Sequence, residues 1–104
     1  MKLITVLKYG GNMYVVLIYD IKQIGEYQNV WRKAYKECKK YLYHVQNSVF
    51  EGELSKSQLF TLKMKLEKIF RKDMDSCIVF KSNNSKWMDK VYITEEQEDD
   101  SQFI

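Results

Sequence analysis

The sequence predicts a small α+β domain in the order β-α-β-β-α-β with an extra C-terminal strand. Three observations carry this. A continuous β-branched run lies near the N-terminus, two segments of helical period flank a pair of strand-like blocks, and another apolar run follows the second helical segment. At 104 residues there is room for one domain. A content of 45% hydrophobic and 30% charged residues suits a packed core rather than a disordered chain.

Tyr14-Val-Val-Leu-Ile-Tyr19 is continuous and apolar, which predicts a central strand buried on both faces. Asp20 follows at once and sets one carboxylate at the C-terminal end of the most hydrophobic strand. From Tyr27, the residues Val30, Trp31, Ala34, Tyr35, Cys38, Tyr41 and Leu42 fall at spacings of three and four. Arg32, Lys33, Lys36, Glu37, Lys39 and Lys40 take the other side, giving an amphipathic helix with a basic back.

His44 to Phe50 alternates as a strand, and Glu51 to Leu54 reads as a bend around Gly52 that leads into a second, paired short strand. Ser55-Lys-Ser-Gln58 has capping-box spacing, with Leu54 and Leu59 at the staple positions. The helix it opens turns Leu59, Leu62, Leu66, Ile69 and Phe70 inward and Lys56, Lys63, Lys65 and Lys68 outward, ending before Lys72-Asp73. Cys77 to Phe80 is the fourth strand, and Val91 to Ile93 a fifth short one.

That order is the ferredoxin-like pattern, with two helices on one sheet face and the other face bare, which makes a homodimer the natural inference. Residues 1–12 are expected to form an N-terminal extension outside the fold, with Met13 as an alternative start. Residues 13–93 form the domain, and residues 94–104 an acidic tail that docks on a partner subunit.

The longest apolar stretch, Met13 to Tyr19, is far short of the roughly 20 residues that cross a bilayer, and no secretory signal is legible, so the expected location is the cytoplasm. Cys38 and Cys77 have no CxxC spacing and read as reduced core residues. The single His44 has no Ser or Cys partner by spacing, and there is no glycine-rich phosphate loop and no HExxH. Asp20 remains as a hard oxygen ligand at a strand end, a position that turn-formers and helix caps also occupy. Glu51, Glu53, Asp73 and Asp75 are assigned no site.

Net charge is +3, yet Glu95, Glu96, Glu98, Asp99 and Asp100 concentrate five acids near the C-terminus. Without them the rest of the chain carries 17 bases against 9 acids, a balance that suits docking on phosphates as well as a solubilising surface. Lysine outnumbers arginine 15 to 2, which favours point-charge phosphate contacts over bidentate base reading.

The run Tyr14-Val-Val-Leu-Ile-Tyr-Asp20-Ile21, followed by Val45-Gln-Asn-Ser-Val-Phe-Glu-Gly-Glu-Leu54, closely resembles the CRISPR-associated protein two family, the small adaptation subunit. Lys39-Lys-Tyr-Leu42, Asp73-Met-Asp-Ser-Cys-Ile-Val-Phe80 and the acidic tail ending in Phe103-Ile104 extend the resemblance from Met13 to Ile104. It implies a ferredoxin-like homodimer whose C-terminal strand crosses to the partner's sheet. It also implies a bridge between two dimers of the CRISPR integrase that holds duplex DNA for spacer acquisition.

Many members are described as Mg²⁺-dependent endonucleases acting on RNA or DNA. The resemblance places the family's catalytic and metal-binding aspartate at Asp20, facing its symmetry mate. Two carboxylates about 4 Å apart would repel by about 4 kcal/mol at an effective dielectric of roughly 20, and a shared Mg²⁺ would relieve that. Such an ion keeps open positions, so it could orient a hydroxide on a phosphodiester. Where relatives often carry an arginine as the first helix begins, this chain has Asn29, so Lys22 and Arg32 are the nearest basic candidates for nucleic acid. A stand-alone metal-dependent ribonuclease toxin of the virulence-associated protein D type is the alternative reading.

Overall fold

The structure is a computed structural model and describes residues 12–83 and 89–94. In chain order the elements are β1 (Met13–Asp20), α1 (Tyr27–Lys39), β2 (Tyr43–Gln46), β3 (Val49–Leu54), α2 (Lys56–Ile69) and β4 (Ser76–Ser82). The strands form one antiparallel sheet in the order β2-β3-β1-β4. This is the ferredoxin-like arrangement, with the most apolar strand inside and both helices on one face.

Burial along β1 alternates: Met13, Val15, Leu17 and Tyr19 are buried toward the helices, and Tyr14, Val16, Ile18 and Asp20 face the other way. The expectation that both faces of this strand are covered is therefore corrected for the single protomer, where Ile18 is 37% exposed. Register carries the same face across the sheet. Val49 and Glu51 of β3 and Ile78 and Phe80 of β4 lie on the open side, where Ile78 and Phe80 are each 54% exposed.

The hairpin turns earlier than the sequence reading places it. β2 and β3 are joined at Asn47-Ser48, where Asn47 takes φ 43°. Asparagine tolerates this left-handed conformation, so no glycine is needed. Gly52 sits inside β3 instead, with φ 159°, and a Cβ there would approach Leu42 Cδ2 to 3.2 Å. The glycine makes room for Leu42, which backbone bonds from Tyr41 and Leu42 to Cys38 O fold into the core just beyond α1.

The capping box of α2 forms as its spacing requires. Gln58 N–H donates to Ser55 Oγ at 3.1 Å, and Ser55 N–H donates to the Gln58 side-chain oxygen at 2.9 Å. Leu17, Phe50, Leu54 and Leu62 are fully buried between the sheet and the helices. Cys38 belongs to this core, but Cys77 does not. It lies on the helix side of edge strand β4 and is exposed, because α2 leans over β3 rather than β4.

Residues 91–94 form no strand, so the short fifth strand is absent from this protomer. The acidic tail from Glu95, and residues 1–11 of the expected extension, lie outside the described residues. No helix among the described residues is long and apolar enough to cross a membrane.

Tyr19 stacks on Phe50 at 5.8 Å and meets Phe70 at 5.5 Å, with its hydroxyl buried and without a partner among the described residues. Burial pushes that phenol far above its usual range. A buried orphan hydroxyl costs roughly 1–3 kcal/mol in desolvation. Tyr19→Phe is therefore expected to leave Tm unchanged or raise it by a few degrees, as thermal unfolding would show. A marked loss would mean that the hydroxyl has a partner in the assembled protein.

Candidate active site at the open sheet face

Asp20 closes β1 on the open face, exposed, opposite Ser76 of β4 in register. On its other side the hairpin tip comes close, since Tyr19 N–H donates to Ser48 O at 3.1 Å. Neither a hydrogen bond nor an ion pair ties the Asp20 carboxylate to the described residues, so it is free for a ligand.

The loop that leaves Asp20 is pinned by a network the sequence reading missed. The Asp75 carboxylate has no solvent exposure. It accepts from the backbone N–H of Lys22 at 3.0 Å and of Arg71 at 2.8 Å, and from Arg71 Nε at 3.0 Å and Nη2 at 3.1 Å. The Arg71 guanidinium also donates to the carbonyls of Ile24 and Lys22, at 2.5 and 2.6 Å. Burial alone would raise the Asp75 pKa, but hydrogen bonds from Arg71 and Lys22 outweigh it and hold the carboxyl below its usual value. Arg71 and Asp75 are only four positions apart, but their contacts with the Lys22–Ile24 loop span 47 to 53 positions, and no local spacing rule could find those.

The sheet's open face has a second polar cluster. Tyr14 donates its hydroxyl to Glu51 Oε1 at 2.5 Å, and Lys90 of the segment 89–94 forms an ion pair with Glu51 Oε2. Burial, followed by the bond to Glu51, pushes the Tyr14 phenol up to about 12. Glu51, given no site from sequence, thus holds Asp89–Thr94 against the sheet; that segment borders Val16, Val45 and Val49.

Lys22 lies two residues past Asp20 in the pinned loop, with its side chain exposed. Arg32 is on the exposed side of α1, where it donates to Asn29 Oδ1 at 3.2 Å. The structure therefore does not gather the three predicted site residues. Asp20 is on the sheet's open face, whereas Arg32 belongs with Lys33, Lys36 and Lys40 to the exposed outer surface of the helix layer. That split puts the Asp20 carboxylate and the basic helix surface on opposite sides of the domain.

Among the described residues no three acidic, histidine or cysteine side chains cluster as a metal cage. At the end of β1, among the described residues, one protomer offers a Mg²⁺ ion one carboxylate, that of Asp20. Mg²⁺ is commonly held by one or two carboxylates with water and substrate phosphates completing its octahedron, so the donor set fits once a second copy supplies its own Asp20.

Residues 13–90 match the family model described as CRISPR associated protein Cas2. The chain is 44% identical over 102 residues to the CRISPR-associated endoribonuclease Cas2 of Fusobacterium nucleatum subsp. nucleatum, covering 97% of this chain and 96% of that protein. It is 38% identical over 93 residues to the protein of the same name from Nanoarchaeum equitans, covering 88% and 96%. A solved structure titled "Crystal structure of cas2" superposes with a TM-score of 0.71 at 34% identity, covering 89% of this chain and 99% of that one.

Proposed function

The chain belongs to the CRISPR-associated Cas2 family, and from that premise we propose that it is a CRISPR adaptation subunit: a homodimer that bridges integrase dimers, holds duplex DNA for spacer acquisition, and cleaves phosphodiesters with Mg²⁺ through Asp20. The observation that carries this reading is the exposed, unpartnered Asp20 beside the apolar open face of Ile18, Ile78 and Phe80. A second copy packed on that face buries the apolar side chains and brings two Asp20 carboxylates to one axis. The printed name of the relatives, endoribonuclease, supports RNA as a substrate.

In the mechanism, Asp20 and its mate would hold Mg²⁺, and Asp75 and Arg71 fix the backbone that follows so that the carboxylates are preorganised. When bound, Mg²⁺ supplies charge neutralisation at the phosphodiester and a more acidic water. Lysines on the helix layer attract the backbone without reading bases. The acidic tail, residues 94–104, docks on a partner subunit. A stand-alone ribonuclease toxin would need neither that tail nor an integrase.

The test incubates the purified protein with RNA and with duplex DNA, in Mg²⁺ or chelator, alongside co-purification with the integrase. Cleavage lost on chelation together with integrase capture is the expected result. Cleavage without capture would favour the toxin reading, and capture without cleavage would leave a structural bridge.

A further inference from the structure

On the adjoining strand Asp20 has one direct neighbour. In the β1–β4 register it lies opposite Ser76, and residues directly opposite on paired strands share a face, so both side chains stand on the open side of the sheet. The two open-face rungs before them pair Val16 with Phe80 and Ile18 with Ile78. At this end, then, the apolar row gives way to a carboxylate and a hydroxyl. Ser76 is exposed, and its hydroxyl is bonded to no described residue.

The rung is held from both sides. Toward the apolar patch the ladder continues through Ile18 and Ile78. Beyond it, Lys22 N–H donates to Asp75 Oδ1 at 3.0 Å, which ties the residue just before Ser76 to the one two places past Asp20. The buried Arg71–Asp75 network therefore fixes the two backbones from which Asp20 and Ser76 project.

Cβ atoms of directly opposite residues lie about 5 Å apart, close enough for two side-chain oxygens to meet at one small cation. In P-loop nucleotide hydrolases Mg²⁺ is held by a serine or threonine hydroxyl together with an aspartate, so the donor types suit the ion. A neutral hydroxyl also adds an oxygen without adding to the repulsion between two Asp20 carboxylates.

We propose that Ser76 holds Mg²⁺ together with Asp20, each protomer contributing one carboxylate and one hydroxyl. This rests on the Mg²⁺ reading above and adds to it a ligand from a different strand.

Mn²⁺ serves as the probe, because it takes oxygen donors as Mg²⁺ does and its free ion gives a spin-resonance signal that binding removes. Titrations of the full-length protein compare wild type with Ser76→Ala, Ser76→Thr and Asp20→Asn. Ser76→Ala is expected to weaken Mn²⁺ binding by roughly tenfold and to raise the Mg²⁺ concentration for half-maximal cleavage by a similar factor. Ser76→Thr keeps the hydroxyl and should bind as wild type does. Wild-type Mn²⁺ affinity in Ser76→Ala, with Asp20→Asn impaired, overturns the role of Ser76 and leaves the Asp20 reading standing. A Ser76→Thr protein as weak as Ser76→Ala also overturns it, since the hydroxyl would then not be what matters. Unchanged binding in Asp20→Asn overturns both readings.

Discussion

Asp20→Asn is expected to reduce Mg²⁺-dependent cleavage by about a thousandfold, since metal-ion catalysis contributes several kcal/mol and each 1.4 kcal/mol is about tenfold in rate. The amide keeps the shape but not the charge of the carboxylate. Because Asp20 is exposed and bonded to none of the described residues, folding should be nearly untouched, with stability changed by less than about 0.5 kcal/mol. The open face and the tail remain intact, so the variant should still dimerise and still co-purify with the integrase. A variant that folds, dimerises and cleaves at the wild-type rate would remove Asp20 from the chemistry.

Asp75→Asn is the most damaging single change expected outside the hydrophobic core. It removes the charge that Arg71 faces and, since an amide keeps only one oxygen, leaves one of the backbone N–H groups of Lys22 and Arg71 facing an NH₂ donor in place of its acceptor. Breaking a buried pair by deleting one charge is far costlier than losing a surface salt bridge, and a Tm fall of roughly 10 °C at neutral pH is expected. Amide exchange should quicken at Lys22 and Ile24, the two donors nearest the pinned loop. Cleavage should fall as well, because Asp20 opens that loop.

The pH dependence follows from the sign of the shift. The Asp75 carboxyl titrates lower in the folded protein than in the unfolded chain, so its contribution is fully present above the unfolded value, near 4. It is lost as the pH falls through the folded value. Wild-type Tm should therefore drop on acidification below about pH 4, and Asp75→Asn should show a shallower drop over the same window.

Much of the fold is legible because its signals are local. The run from Tyr14 to Tyr19 had to be the inner strand, and Ser55 with Gln58 marked the start of α2 to the residue. The hairpin was misplaced because glycine is the louder turn signal. Asn47-Ser48, between two β-rich runs, was the available clue, and Gly52 answers to the close approach of Leu42 instead. Cys77 was misread because four residues of apolar strand look alike whether a helix covers them or not; only the tilt of α2 decides it.

The site divides in the same way. Asp20 was visible from its place after the most apolar strand, and the family resemblance gave it a role. Arg71, Asp75 and the pairing of Glu51 with Tyr14 and Lys90 were invisible, since each depends on tertiary approach across 37 or more positions or on a loop backbone with no motif.

The central claim is that two Asp20 carboxylates act as one site across a homodimer axis, and mixing protomers tests it most directly. Wild type and Asp20→Asn are unfolded together in equal amounts, refolded, and assayed for Mg²⁺-dependent cleavage. If the site needs both aspartates, only the dimers with two wild-type protomers are active, and activity falls to about one quarter of the unmixed wild type. A value near one half, scaling linearly with the wild-type fraction, would mean that each protomer carries its own site and would contradict the account.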